Sequence, residues 1–153
     1  MPDLLYLEDL SVGQIFCSRE YPVTTGEIIA FAGRYDPQPF HINPKAAEET
    51  FFHGLAASGW HTGAMTMRLM VETMHIAGGL IGAGVKDLRW PKPVRPGDTL
   101  TLQSEILAIR PSGSRPGWGV VQVRHTTLNQ NNEPVQTGDV TMLVPSRNAK
   151  PLS

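Results

Sequence analysis

Between Ser58 and Ile76 the chain reads Ser-Gly-Trp-His-Thr-Gly-Ala-Met-Thr-Met-Arg-Leu-Met-Val-Glu-Thr-Met-His-Ile and is closed by Gly78-Gly79. The spacing predicts one long helix. Trp60, Met67, Met70, Val71 and Met74 fall near one face, while Met65, Leu69 and Ile76 carry apolar character around much of the cylinder. A helix apolar on most sides has to be buried, so the rest of the chain must supply a wrapper. After residue 80 the pattern changes to a period of two. A strand is expected from Gly84 to Trp90, then a turn-rich connection from Pro91 to Asp98, then alternation over 99–109 through Leu100, Leu102, Ser104, Ile106 and Ala108. A further strand is expected over 118–128, and another through Val135, Val140, Met142 and Val144 after the turn Asn129–Pro134. Consecutive strands joined by short turns make an antiparallel sheet, and the buried helix needs that sheet around it. The fold class is therefore α+β, one domain over 1–153 in which an antiparallel sheet wraps a long central helix.

Upstream, Val12-Gly13 marks a turn before a strand through Ile15, Phe16 and Cys17 toward Val23. Thr24 and Glu27 form a capping box, and Ile28, Phe31, Ala32 and Tyr35 recur at helical spacing. Pro37 and Pro39 then stop that helix and predict a rigid loop, because each pushes the residue before it out of helical angles. Asn43 caps a short helix that has Pro44 at its first position.

The chemistry concentrates around that loop. Asp36 and His41 bracket the two prolines. A carboxylate and an imidazole at one site can take a proton from water and return one elsewhere. A fully extended five-residue step spans about 16 Å, so the loop must fold back for the two side chains to meet. The alternative is a surface loop in which Asp36 caps a turn and His41 is partly buried. Ser58-Gly59 opens the long helix, where unpaired N–H groups and the positive end of the helix dipole point outward and would suit an oxyanion; the alternative is an N-cap followed by a packing glycine. The helix methionines either line a flexible pocket or fill the core. Asp36, His41, His53 and His61 lack a His-x-x-x-His or His-Glu-x-x-His arrangement, which argues against a metal site. Ser58 lacks the Gly-x-Ser-x-Gly setting of a serine hydrolase.

The run Asp36-Pro37-Gln38-Pro39-Phe40-His41 followed by Ala46-Ala47 resembles the signature of the MaoC-like dehydratases and (R)-specific enoyl-coenzyme A hydratases, Asp-x-Asn-Pro-x-His before a helix carrying Ala. Two positions differ: Gln38 stands where that family usually has Asn, and Tyr35 where it has a small residue, often Gly. The resemblance implies a hot-dog fold and interconversion of a trans-2-enoyl and an (R)-3-hydroxyacyl thioester, with coenzyme A as the expected carrier. It implies Asp36 and His41 as the acid/base pair, Gly59 as the donor to the thioester oxygen, no cofactor, and a homodimer. Gln38, Ser58, Trp60, Arg89 and Lys92 are the expected substrate-binding residues; Arg89, Lys92 and Arg95 gather near one turn and Arg110 and Arg115 bracket another, where one of these groups would meet the phosphates of coenzyme A, the alternative being that they are solvated turn residues. Two other readings use the same scaffold: a thioesterase, and a non-catalytic binder of acyl thioesters. The proton-moving pair disfavours the binder.

Composition narrows the partners. A formal net charge of -1 removes the main electrostatic argument for nucleic acid, and no basic run marks a membrane surface. The single cysteine, Cys17, excludes an intramolecular disulfide and is simplest in a reducing cytoplasm. The acidic start of the chain reads neither as a secretory signal nor as a transit peptide, and no stretch reaches the ~20 apolar residues needed to span a bilayer.

Overall fold

The structure is a computed structural model that describes residues 2–149; the ends of the expected 1–153 domain, residue 1 and residues 150–153, lie outside them. In chain order the elements are β1 (Ile15–Cys17), β2 (Tyr21–Pro22), α1 (Thr25–Tyr35), α2 (Pro39–Ile42), α3 (Pro44–Ala47), α4 (Gly59–Thr73), β3 (Ile81–Arg89), β4 (Thr99–Pro111), β5 (Trp118–Leu128) and β6 (Pro134–Pro145). The strands form one antiparallel sheet in the order β1-β4-β5-β6-β3, with β2 also paired to β4. This is the expected hot-dog arrangement. Met65, Leu69 and Met70 of α4 pack in one cluster with Leu100, Leu102 and Ile106 of β4, Val121 and Val123 of β5, and Val140, Met142 and Val144 of β6.

Several boundaries differ from the sequence reading, each for a local reason. The long helix stops at Thr73 rather than Ile76, because Ile76 leaves the helix to bridge Leu5. Leu5 N–H donates to the His75 carbonyl at 2.7 Å and Ala77 N–H to the Leu5 carbonyl at 2.9 Å. Trp60, Met67 and Val71, expected on the buried side of α4, are exposed in the isolated chain; the buried face carries His61, Thr62, Met65, Thr66, Leu69 and Met70. Strand β3 begins at Ile81, ahead of the expected Gly84, and ends before Trp90. In β4 the inward alternation holds through Ile106 and then slips at a bulge between Ile106 and Ala108, so Ala108 faces out and Ile109 turns toward the core.

The segment between the prolines is not all loop. Helix α1 ends at Tyr35 as expected, but Pro39 starts a second helical turn that contains His41. Proline restricts the residue before it and suits the first position of a helix, so Pro39 holds Gln38 extended at φ -99° and ψ 148° while itself beginning α2. Capping follows the sequence: the Thr24 hydroxyl accepts from Glu27 N–H, the Asn43 carboxamide oxygen from Lys45 and Ala46 N–H, and the Ser58 hydroxyl from Trp60 N–H. No helix among the described residues is long and apolar enough to cross a membrane.

Candidate active site

Asp36 terminates α1 and His41 lies one helical turn further on, so the chain reverses between them. The Asp36 N–H donates to the Ala32 carbonyl at 2.8 Å, Gln38 N–H to the Asp36 carbonyl at 2.8 Å, and His41 N–H to the Gln38 carbonyl at 2.9 Å. This fold-back sets Asp36 Oδ2 3.4 Å from His41 Nε2.

Each side chain has anchors of its own. His41 is buried, and its Nδ1 lies 2.6 Å from the Ala56 carbonyl oxygen. A carbonyl only accepts, so Nδ1 carries the proton and Nε2 is the nitrogen that faces Asp36. Asp36 Oδ1 accepts from the Gln38 carboxamide at 2.6 Å, and Oδ2 from the Ser58 hydroxyl at 2.7 Å. Partial burial pushes the Asp36 carboxyl upward, but the hydrogen bonds from Ser58 and Gln38, with His41 beside it, outweigh that and hold it below the ordinary carboxylate range. Ser58 thus does two jobs, capping α4 and holding the carboxylate. Gln38, an expected substrate-binding residue, donates its carboxamide N–H to Asp36 and so orients the carboxylate.

A cavity of about 500 Å³ opens on this corner, walled by His41, Phe51, Phe52, Gly59, Thr62 and Trp90, with Lys92 on its rim. Gly59 is the first residue of α4, and its N–H makes no hydrogen bond among the described residues. A Cβ at Gly59 would lie 2.7–3.0 Å from the Trp90 indole, so only glycine lets the ring lie this close to the helix start. The structure therefore brings Asp36, His41, Ser58, Gly59, Gln38 and Lys92 to one corner. Trp60 and Arg89 line no part of this cavity; Trp60 faces a second cavity and Arg89 is exposed at the end of β3.

The cations are also reassigned. Lys92 is paired with Glu133. Arg95 is a strap: its guanidinium donates to the carbonyls of Phe52 at 2.5 Å, Gly54 at 3.0 Å and Leu55 at 3.2 Å. The residue after that strapped segment is Ala56, whose carbonyl holds His41. The sequence reading missed Trp90, Phe51, Phe52 and the role of Arg95. Aromatic residues beside the prolines of 91–93 were the available signal for the first. Among the described residues, no group of three or more His, Cys, Asp or Glu side chains is arranged to hold a metal ion.

Comparison with known proteins identifies the family and the fold. The family described as MaoC like domain matches residues 11–129, and the chain belongs to that family. A structure described as a MaoC-like dehydratase from Rhodospirillum rubrum is 49% identical, superposes with a TM-score of 0.89, and the match covers 97% of this chain and 99% of that one. The uncharacterized protein YdeM of Bacillus subtilis strain 168 is 31% identical over 90% of this chain and 97% of its own length. The unliganded R-hydratase PhaJ1 from Pseudomonas aeruginosa shares the fold, with a TM-score of 0.77 at 24% identity over 97% of this chain and 95% of that one.

Proposed function

We propose that this chain is a hydratase that adds water across trans-2-enoyl thioesters, most simply of coenzyme A, to give (R)-3-hydroxyacyl thioesters, and that it runs the reverse dehydration. The observation that carries the reading is the 3.4 Å gap between Asp36 Oδ2 and His41 Nε2, with His41 Nδ1 occupied by Ala56. Two acceptors facing each other at that distance converge on a donor, and a water with its two O–H groups is the donor the reaction needs.

In the hydration direction the pair takes a proton from that water as its oxygen bonds to C3. The C2–C3 π electrons move into the thioester, and the resulting enolate oxygen is met by the Gly59 N–H at the positive end of α4. A proton then returns from the pair to C2, so water is consumed, the pair is regenerated, and no redox cofactor enters the balance. Asp36 and His41 act as a coupled unit rather than as a fixed base and a fixed acid. Asp36 stays ionised at neutral pH because its carboxyl is held low. Lys92 on the cavity rim is the cation placed to meet the phosphates of coenzyme A, exchanging its Glu133 partner for them.

The assembly is a homodimer in this account. Strand β3 ends the sheet order, and Ile81 and Val85 on it lie exposed together with Trp60, Met67 and Val71 of α4. A second copy covering that face removes both the open edge and the apolar surface. The exposed free thiol of Cys17 suits a reducing cytoplasm. The test is a panel of trans-2-enoyl-coenzyme A substrates followed both by loss of conjugated absorbance and by thiol release. Absorbance loss without thiol supports the hydratase. Thiol release proportional to enzyme makes the chain a thioesterase, and silence in both channels makes it a binder.

A further inference from the structure

Asp36 and His41 are both held by one short segment. Ala56 is tied to the turn that carries His41 in two ways: its N–H donates to the Phe40 carbonyl at 3.0 Å, and its own carbonyl accepts from His41 Nδ1 at 2.6 Å. Two residues further on, the Ser58 hydroxyl donates to Asp36 Oδ2 at 2.7 Å. Between the two, Ala57 N–H donates to the Val94 carbonyl at 2.9 Å. The placement of 52–58 therefore decides where both proton-moving groups point.

That segment needs an outside holder. It runs between α3 and α4 and passes through His53 at φ 51° and Gly54 at φ 150°, a part of backbone space that L side chains rarely adopt. The carbonyls of Phe52, Gly54 and Leu55 all turn to one group, the Arg95 guanidinium. A planar fork of N–H donors can take three carbonyls at once, which the compact ammonium of a lysine does not reproduce. Arg95 is itself fixed in a tight turn: its N–H donates to Asp98 Oδ2 at 2.8 Å, Asp98 N–H returns to the Arg95 carbonyl at 3.1 Å, and Asp98 Oδ1 accepts from the Gln130 carboxamide at 3.0 Å. Among the described residues its guanidinium makes no ion pair, and Arg95 lines no part of the active-site cavity.

Resting on the hydratase reading, we infer that Arg95 is a positioning residue for the acid/base pair: by fixing the carbonyls of 52–55 it holds the Ala56 carbonyl on His41 Nδ1, so that Nε2 stays unprotonated and aimed at Asp36. The guanidinium acts through the backbone and meets no reacting atom. Loosening it withdraws the acceptor from Nδ1, and the neutral imidazole then also populates the tautomer with its proton on Nε2. That proton points at Asp36 Oδ2, 3.4 Å away, and takes the place of the water's O–H.

The test pairs a spectroscopic readout with a kinetic one, so that the histidine is observed apart from the reaction assigned above. The ring nitrogens of His41, identified by their absence in His41→Gln, are followed by nitrogen NMR in the wild type, Arg95→Met and Arg95→Lys at a pH above the imidazole titration. Values of kcat and KM for trans-2-butenoyl-coenzyme A are measured on the same proteins, each first shown to melt cooperatively. The wild-type His41 is expected as the Nδ1–H tautomer alone. Arg95→Met should show a mixture of tautomers, with kcat lower by about 10- to 100-fold and KM within about threefold, as for a displaced catalytic group. Arg95→Lys, which keeps the charge but not the fork, should fall between them and serves if the methionine variant does not fold. Wild-type His41 signals in a folded variant overturn the inference; so does a folded variant of an active enzyme that keeps its kcat, including one whose KM alone rises, the result of a lost phosphate contact. If the His41 signals shift as expected while the wild type hydrates no enoyl thioester, Arg95 still positions the histidine and the hydratase assignment falls.

Discussion

Two polar clusters flank Trp90, and both are built around a histidine, yet they are opposites. At one, His41 faces a carboxylate whose side chain keeps 20% of its surface in solvent, and every anchor leaves Nε2 free to meet a water. At the other, His125 is 3% exposed, its Nε2 is occupied by Gln136, and its Nδ1 has no hydrogen-bond partner among the described residues. Burial lowers the His125 pKa, with only Asp139 opposing. In the proposed mechanism one histidine is held for proton transfer beside a cavity; the other is held neutral as a structural acceptor. What separates them is the number of partners left open, because a histidine with a free nitrogen beside a carboxylate moves protons and one with its acceptor spent does not.

The comparison breaks first, and furthest, at the active corner. Asp36→Asn and His41→Gln should each lower hydration by about 10²- to 10⁴-fold with little change in Tm, and the double variant should be far less than additive because both serve one proton path. Steady-state rates beside thermal melts check this; near wild-type turnover in either single variant would remove the residue from the mechanism.

Gly59→Ala should lower turnover by about 10²-fold, as expected for a misplaced oxyanion donor. The substitution is not structurally mild here, since its methyl drives into the Trp90 ring. Overpacking should cost about 1–3 kcal/mol of stability. The double variant Gly59→Ala with Trp90→Ala should recover the stability; if the melting temperature does not return, the clash is not the cause.

The buried cluster should answer in stability instead. His125→Asn should cost about 1–3 kcal/mol through the disturbed buried hydrogen bonds while changing short-chain hydration only a few-fold. Its pH dependence has a definite sign. The folded pKa lies below the ordinary histidine value of 6.5, so the unfolded chain takes up the proton first as pH falls. The contribution is complete above that value and is lost as pH drops through it toward the folded value. Denaturation midpoints measured from neutral pH downward should decline, and the decline should be shallower in His125→Asn.

Much of the active corner was legible because it is local. Asp36, His41, Ser58 and Gly59 lie within one stretch whose prolines, cap and glycine each force a backbone choice, and the Ser58–Asp36 and His41–Ala56 hydrogen bonds close it. The helical turn at Pro39–Ile42 was missed because two prolines read as loop even though the second suits a helix start. The other cluster was not legible. Trp90 meets Gln136, and Gln136 meets His125, only through strand register, His125 lying opposite Gly138 and Thr127 opposite Gln136 across β5 and β6. Arg95 likewise looked like a phosphate ligand until the carbonyls of the segment preceding Ala56 were seen to occupy it.

A smaller effect sharpens the same contrast. Ser58→Ala removes a donor to the Asp36 carboxylate, so the carboxyl should rise and the acid limb of the pH–rate profile should move to higher pH. Loss of the cap should cost about 1 kcal/mol of stability. An unmoved acid limb would mean that Asp36 does not set it.

The central claim is that one water, held between Asp36 and His41, supplies the hydroxyl and that the same pair returns the proton. Hydration of trans-2-butenoyl-coenzyme A in deuterium oxide, with the product examined by proton NMR, tests it most directly. A single pair on one face predicts one deuterium at C2, placed syn to the new C3 hydroxyl, in an (R)-3-hydroxybutanoyl product. Anti placement, or a mixture of the two C2 epimers under initial-rate conditions, would contradict delivery from one site.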